Sequence, residues 1–374
     1  MLERRAHFGV PYGPKVEALT GSFVLGIDEA GRHRRARSAL DRADGRDGSE
    51  RHRDGVERVG SQAEELATSL LDAADGGIDV VRGLTDPVVH ASIEDYVGIG
   101  APNAATLLRW CRAIGWDLLL NPEDDPRVVR AGKHAAEEML GLVEDSIAKR
   151  RSEREADRQA DVRDTLLDRL LVPDARGASP GGEEPLPTQD DETVRNNIVG
   201  LTVAWVVSVS RATAFSIDEL LRRPELADAR SAALAGDRDR VARHLFEALR
   251  FQPQAPILAR VSRGAILSGD KRQRFIPADA RVLLVASSAL MDEQAVPCAR
   301  RFRGDRDPRD YHLHFGHGMH SCWGEEIAVA QMTGIATALL RRDNLVRAAG
   351  RAGTLVREGP FPIRLNVAFA KGLR

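Results

Sequence analysis

The chain has 374 residues, 43% of them hydrophobic, and a formal net charge of −2. That is enough to bury a large core, and the near-neutral balance gives no basis for nucleic acid or an anionic membrane surface as partner. Three cysteines, Cys111, Cys298 and Cys322, are odd in number and far apart, which argues against a disulfide framework and for a reducing cytoplasm.

Met1 to Lys15 carries charges without the apolar stretch of a signal peptide. The apolar run Ile198–Val209 ends at Ser210 and Arg211, short of the roughly 18 residues that predict a membrane span. Residues 1–28, with Gly9, Pro11, Gly13, Pro14 and Gly21, predict an irregular opening loop. Residues 29–45 hold a basic cluster of Arg32, His33, Arg34, Arg35 and Arg37, read from composition as a solvated helix face. Helical spacing of apolar and charged residues recurs over 56–74, 78–98 and 103–120. The charged stretch 127–171 predicts two or three helices, and the Pro/Gly-rich stretch 172–190 a surface loop.

Glu192–Arg223 is the longest periodic segment. Its first half is almost wholly apolar, which predicts a central buried helix stopped by Pro224. Another helix is predicted over 236–250. Then the period changes: Arg281–Ala286 reads as a strand and 294–314 as an irregular basic region. Phe315–Gly324 is a glycine-spaced loop, followed by a helix from Glu325 to about Arg342, and the tail Gly359–Phe369 reads as an extended hairpin arm. The fold class expected is mainly α (α+β), in one domain over 1–374.

The glycine-spaced loop holds Cys322. A cysteine just ahead of a helix lies near partly positive N–H groups, which favour thiolate. Gly316 and Gly318 allow tight turns and close approach of something large and flat, and Phe315 offers an apolar shield. Three readings are open: a buried structural cysteine, a zinc site with His312, His314, His317 and His320, or a thiolate ligand to haem iron. No closed Cys/His zinc pattern matches the spacing. Elsewhere, Glu247 and Arg250 share a helix face at i, i+3, and with Arg301 they suit a buried acid–guanidinium network. Arg260, His320, His33 and Arg37 would supply N–H groups or positive charge for a dianionic ligand such as haem with its two propionates.

With these motifs in order, the chain from about residue 20 onward resembles the cytochromes P-450, the haem-thiolate monooxygenases, of the soluble bacterial type. Phe315–Gly324 fits the family's Phe-Gly-x-Gly-x-His-x-Cys-x-Gly signature at every fixed position. Glu247–Arg250 fits its Glu-x-x-Arg motif, Arg301-Phe302 resembles its Arg-Phe pair, and His33–Arg37 resembles its His-x-x-x-Arg helix. The resemblance implies haem b with Cys322 as axial ligand and Phe315, Gly316, Gly318 and Gly324 shaping the loop around it. It also implies propionate contacts from His33, Arg37, Arg260 and His320. The expected activity is insertion of an oxygen atom from O₂ into an apolar small molecule, with electrons from a ferredoxin-type partner. Arg300, Arg301, Arg303 and Arg306 are candidates for docking that acidic partner, with solvated surface charge as the alternative for Arg303 and Arg306.

Two departures stand out. Counting back from Pro224, the family's oxygen-activation pattern falls on Ala204-Trp205-Val206-Val207-Ser208, so Trp205 replaces a glycine, Val207 the acid and Ser208 the alcohol. Val207 cannot carry a proton, which opens a second reading, a peroxide- or hydroperoxide-using enzyme without a reductase, and a third, a non-catalytic haem-binding protein. Also, only 32 residues precede His33. Measured against the family this is short, so an early helix and strands of the small sheet are expected to be missing, leaving a sheet edge open.

Overall fold

The longest apolar segment forms α8, Asp191–Leu220, in the computed structural model, which describes residues 6–46, 48–100, 103–121, 123–156, 164–172, 189–269, 273–307 and 313–370. Asp190 begins it by accepting the Thr193 N–H at 2.7 Å, one of the donors every helix start leaves unsatisfied. By length and composition α8 is apolar enough to cross a membrane, but 78% of its most apolar window is buried inside the protein. It is therefore a core helix.

The other helices, in chain order, are α1 (Gly13–Thr20), α2 (Ala30–Asp44), α3 (Glu50–Ala73), α4 (Asp86–Ser92), α5 (Ala104–Leu120), α6 (Pro126–Ala156) and α7 (Leu166–Leu171). After α8 come α9 (Leu226–Leu234), α10 (Arg238–Phe251), α11 (Ala286–Ala289) and α12 (Glu325–Leu340). The expected opening loop contains a helix: Pro14 lies at the start of α1, where its missing N–H is no loss. Wide π-helical turns at Val80–Thr85 and Ile93–Val97 flank α4, in place of one continuous helix over 78–98. Most of the predicted loop 172–190 lies outside the described residues.

The chain forms two compact units, one of residues 1–11, 60–88 and 208–374, the other of 12–59 and 89–207. In the second, described elements are all helical. Its α5 and α8 cross closely: a Cβ on Gly115 would come within 2.7 Å of Val207. In the first, α12 crosses α3 so tightly that a Cβ on Gly334 would meet the Gly60 carbonyl at 2.4 Å.

All described strands lie in the first unit. Strands β1 (Phe8–Gly9), β3 (Leu258–Ser262) and β6 (Arg281–Leu284) form an antiparallel sheet in the order β1-β3-β6, with Arg260 opposite Val282. Strand β10 (Asn366–Ala368) pairs with both β2 (Gly77–Asp79) and β7 (Val346–Arg347). The remaining pairs are β4 (Ile266–Ser268) with β5 (Arg274–Ile276) and β8 (Val356–Glu358) with β9 (Phe361–Arg364). The tail is thus not one hairpin arm. The Leu365 N–H donates to Asp79 at 3.0 Å and the Leu365 carbonyl accepts from Val80 at 2.8 Å, which draws β10 onto β2 and away from β9.

Candidate functional site: a cysteine loop and a stripe on the central helix

The Cys322 loop is closed by its own backbone. The Cys322 N–H donates to the Phe315 carbonyl at 2.7 Å, and Gly316 N–H to Leu313 at 3.2 Å. Gly316 and Gly318 take φ of +68° and +75°, a left-handed region that favours glycine. A single 3₁₀ turn, Gly318–His320, then leads through Cys322 into α12 at Glu325. The ring of Phe315 packs on Phe246 of α10 with centroids 5.5 Å apart, and His314 packs on the same ring at 6.0 Å. Trp323 is buried while Cys322 is exposed. The loop therefore presents its thiol outward on a braced frame.

Behind it, Glu247 and Arg250 of α10 form a buried bidentate pair, with Arg250 Nη2 and Nε donating at 2.8 and 2.9 Å. Arg250 also donates to the carbonyls of Leu290 at 2.9 Å and Arg301 at 3.1 Å. The second guanidinium at Glu247 belongs to Arg306, 6% exposed, with Nε 3.4 Å away and Nη2 donating to the Cys298 carbonyl at 2.9 Å. The expected member Arg301 contributes only its backbone oxygen, and its side chain is exposed. Arg306 is accordingly no surface docking charge, whereas Arg303 stays exposed and pairs with Asp305 at 2.6 Å.

Arg260 on β3 is 7% exposed. Its guanidinium donates to its neighbour's carbonyl, Ala259, at 2.8 Å, and among the described residues it has no carboxylate partner. A buried cation in that position is costly unless an anion joins it, so it fits a propionate. In the helical unit, His33 is buried on α2 and Arg37 pairs with Asp41 one turn on at 3.6 Å. His320 is half-buried in the 3₁₀ turn. Among the described residues, no three His, Cys, Asp or Glu side chains converge as metal ligands. His312 lies outside the described residues.

On α8, every residue from Asn196 to Asp218 is buried except Ala204, Trp205 and Ser208. Their i, i+1, i+4 spacing puts them on one face, an accessible stripe on an otherwise sealed helix. Val207 does not share it: its side chain is 3% exposed and packs on Gly115 of α5. The position counted as the family's acid therefore faces the core. A carboxylate that sequence reading missed does reach α8. Asp86 of α4 is buried and accepts from Ser210 at 2.9 Å. At about 100° per residue, Ser210 points some 200° away from Ser208, so Asp86 serves the far side of the helix.

A family model described as "Cytochrome P450" matches residues 241–346, the stretch holding α10, the guanidinium network and the cysteine loop. Over that stretch the chain is similar to the cytochrome P450 family. It is 26% identical over 295 residues to the cyclomarin C epoxidase CymV of Salinispora arenicola, spanning 78% of this chain and 67% of that protein. To the P450 monooxygenase PikC of Streptomyces venezuelae it is 27% identical over 285 residues, spanning 76% and 61%. The crystal structure of CalO2 superimposes with a TM-score of 0.76 over 96% of this chain and 84% of that one, at 22% identity, which shows the P450 fold. The chain spans about two thirds or less of the curated relatives' own length. P450 proteins are oxidoreductases that bind haem b through a cysteine thiolate.

Proposed function

We propose that this chain is a P450 monooxygenase that inserts one oxygen atom of O₂ into an apolar, secondary-metabolite-like small molecule. Electrons come from an external ferredoxin-type protein, and the chain works in the cytoplasm as one catalytic domain over 1–374. The observation that carries this reading is the Cys322 loop, an exposed thiol on a glycine-turned frame just ahead of α12. The names of CymV and PikC, an epoxidase and a monooxygenase, support the reaction class.

Haem b, when bound, supplies the redox chemistry, and a thiolate ligand favours O–O cleavage. Cys322 is the proposed ligand, with Phe315, Gly316, Gly318 and Gly324 leaving room around the sulfur. Arg260 is the proposed propionate partner with the firmest physical case, since its buried charge has no carboxylate partner among the described residues. His33, Arg37 and His320 are proposed as further propionate partners on the strength of the family motifs. Glu247, Arg250 and Arg306 tie α10 to the segment 290–306 rather than touch the reacting atoms. Ala204, Trp205 and Ser208 are the proposed substrate-facing residues of α8, and the Ser208 hydroxyl holds a water or passes a proton there. Arg300, Arg301 and Arg303, all exposed, are the remaining candidates of their cluster for docking an acidic redox protein.

A specific observation favours a second reading. Neither Val207 nor Asp86 brings a carboxylate to the stripe, so a peroxide, which needs no reductase, is the alternative oxidant. The deciding experiment has two arms. The reduced, CO-bound absorption spectrum of the purified chain is compared with that of Cys322→Ala, and the thiolate band must disappear in the variant. Turnover of a substrate panel is then compared with NAD(P)H plus a ferredoxin pair against hydrogen peroxide alone. Turnover only with peroxide overturns the monooxygenase reading, and turnover with neither makes the chain a haem-binding protein.

A further inference from the structure

Arg211, in the last third of α8, is a buried cation, 7% exposed. Its Nη2 donates to the Gln254 carbonyl at 2.6 Å, just past the end of α10. Its Nε is also buried, and among the described residues it has no hydrogen-bond partner, nor does a carboxylate pair with the guanidinium. The group lies instead against two buried rings. Its central carbon is 5.8 Å from the centroid of Phe215, one turn on, and 5.6 Å from that of Phe361 on β9. Aromatic faces attract positive charge and soften its burial. A second guanidinium uses the same ring: that of Arg357, on β8, lies 4.6 Å from the Phe215 centroid. The β8–β9 pairing shifts register between Val356 and Arg357, the kind of irregularity that re-aims a side chain. Arg357 is exposed, so it reaches the ring from the solvent side. Burial, and then the like charge of Arg357, pull the Arg211 guanidinium down to about 10, so it is still charged at neutral pH.

Two cations on one buried ring, with no acid between them, form a costly arrangement that a bound anion relieves. We propose that Arg211 and Arg357 form a binding site for a small molecule bearing a carboxylate, held between α8 and the β8–β9 hairpin. The Arg211 Nε gives the carboxylate a charge-assisted hydrogen bond, and Arg357 supplies the second positive charge. Phe215 and Phe361 make the surround apolar, which favours an acid with an apolar body over inorganic phosphate. These groups all belong to one compact unit, and none of them is a residue of the cysteine loop or of the Glu247 network. The site therefore takes its ligand with or without haem.

The full-length chain as purified is titrated by calorimetry with phenylacetate and with phenylacetamide, a neutral analogue of the same shape. Phenylacetate is expected to bind at least tenfold more tightly, and to weaken as sodium chloride is raised, because salt screens the attraction. Arg211→Met is expected to erase the preference for the acid. Arg357→Gln is expected to reduce it by about threefold, an exposed charge being worth less than a buried one. Arg260→Met, which removes the other buried cation, is expected to leave it within twofold. Equal binding of acid and amide by the wild type overturns the site, and so does a preference that survives Arg211→Met. If Arg211→Met does not fold, the surface variant Arg357→Gln decides, and an unchanged preference there overturns the pair. A preference lost in Arg260→Met places the acid at that residue and overturns the site. Inorganic phosphate that displaces phenylacetate at equal concentration overturns the assignment to an apolar acid.

Discussion

Glu247 holds two guanidiniums with one buried carboxylate, and this decides what each arginine around it is worth. Arg306→Ala takes one of two guanidiniums from the buried Glu247 carboxylate, which keeps Arg250, a loss on the order of 1–3 kcal/mol. Arg301→Ala keeps the backbone carbonyl that Arg250 uses and removes only an exposed side chain, so its effect stays within about 0.5 kcal/mol. Thermal or denaturant unfolding of the two variants side by side checks the assignment. Val207→Asp is the second case. The new carboxylate would be pressed against Gly115 in the core, where an unpaired charge is costly, so the variant loses stability and gains no turnover. Equal stability with raised reductase-driven turnover would put Val207 back on the stripe. Cys322 and the Glu247–Arg250 pair were legible in the sequence because their partners lie within a few residues. Arg306 was not, because an irregular segment decides which of several nearby arginines turns inward. The Asp86–Ser210 bond joins residues 124 positions apart, beyond any local pattern.

The helices were legible wherever apolar spacing persisted for several turns, as in α8 and α10, because one buried face leaves a periodic trace. Short elements were not. α1 has eight residues, too few for a period, and its glycines and prolines read as loop punctuation. The tail strands were recognised as extended, but pairing is set by Asp79, nearly 290 residues earlier, and extension alone does not name a partner. The start of α2 gives a prediction at this scale. Glu29 caps the helix that carries His33 and Arg37, accepting from the N–H groups of Gly31 at 2.7 Å and Arg32 at 2.6 Å. The Arg32 and then the Gly31 N–H hold its carboxyl below the ordinary value of 4.5. Because the folded value is the lower one, the stabilisation is complete above about pH 4.5 and is lost as pH falls through the folded value. The protection factors of the Gly31 and Arg32 amides, exchange rates corrected for the intrinsic pH dependence of a free amide, should therefore fall below pH 4.5 in the wild type. In Glu29→Ala they should be low and independent of pH across that range; a wild type equally independent of pH would show the cap contributes nothing.

At the scale of the whole molecule the question is how far the cofactor and the fold stabilise one another. A ligand that binds the folded state alone adds RT ln(1 + [L]/Kd), about 2.7 kcal/mol at a hundredfold excess over Kd. In the proposed reading that stabilisation enters through few residues, and two of them make separable contributions. Cys322 is exposed and serine is close to it in size, so Cys322→Ser leaves the haem-free protein's melting temperature unchanged but removes most of the rise that haem produces. Arg260 behaves differently. Among the described residues its buried cation has no carboxylate partner, so Arg260→Met relieves a desolvation penalty in the haem-free protein and raises its melting temperature. The same change costs affinity once the propionate is present, so the gain on adding haem shrinks. Melting curves with and without haem for wild type and both variants give the haem-free shift of each variant and its rise on adding haem, and Arg260→Met is expected to increase the first and shrink the second. If Arg260→Met destabilises both states alike, the arginine is held by the protein itself and is not waiting for an anion. If Cys322→Ser lowers the haem-free melting temperature, the thiol belongs to the packing of the loop and the rigid, outward-facing sulfur is lost as the carrier of the functional reading.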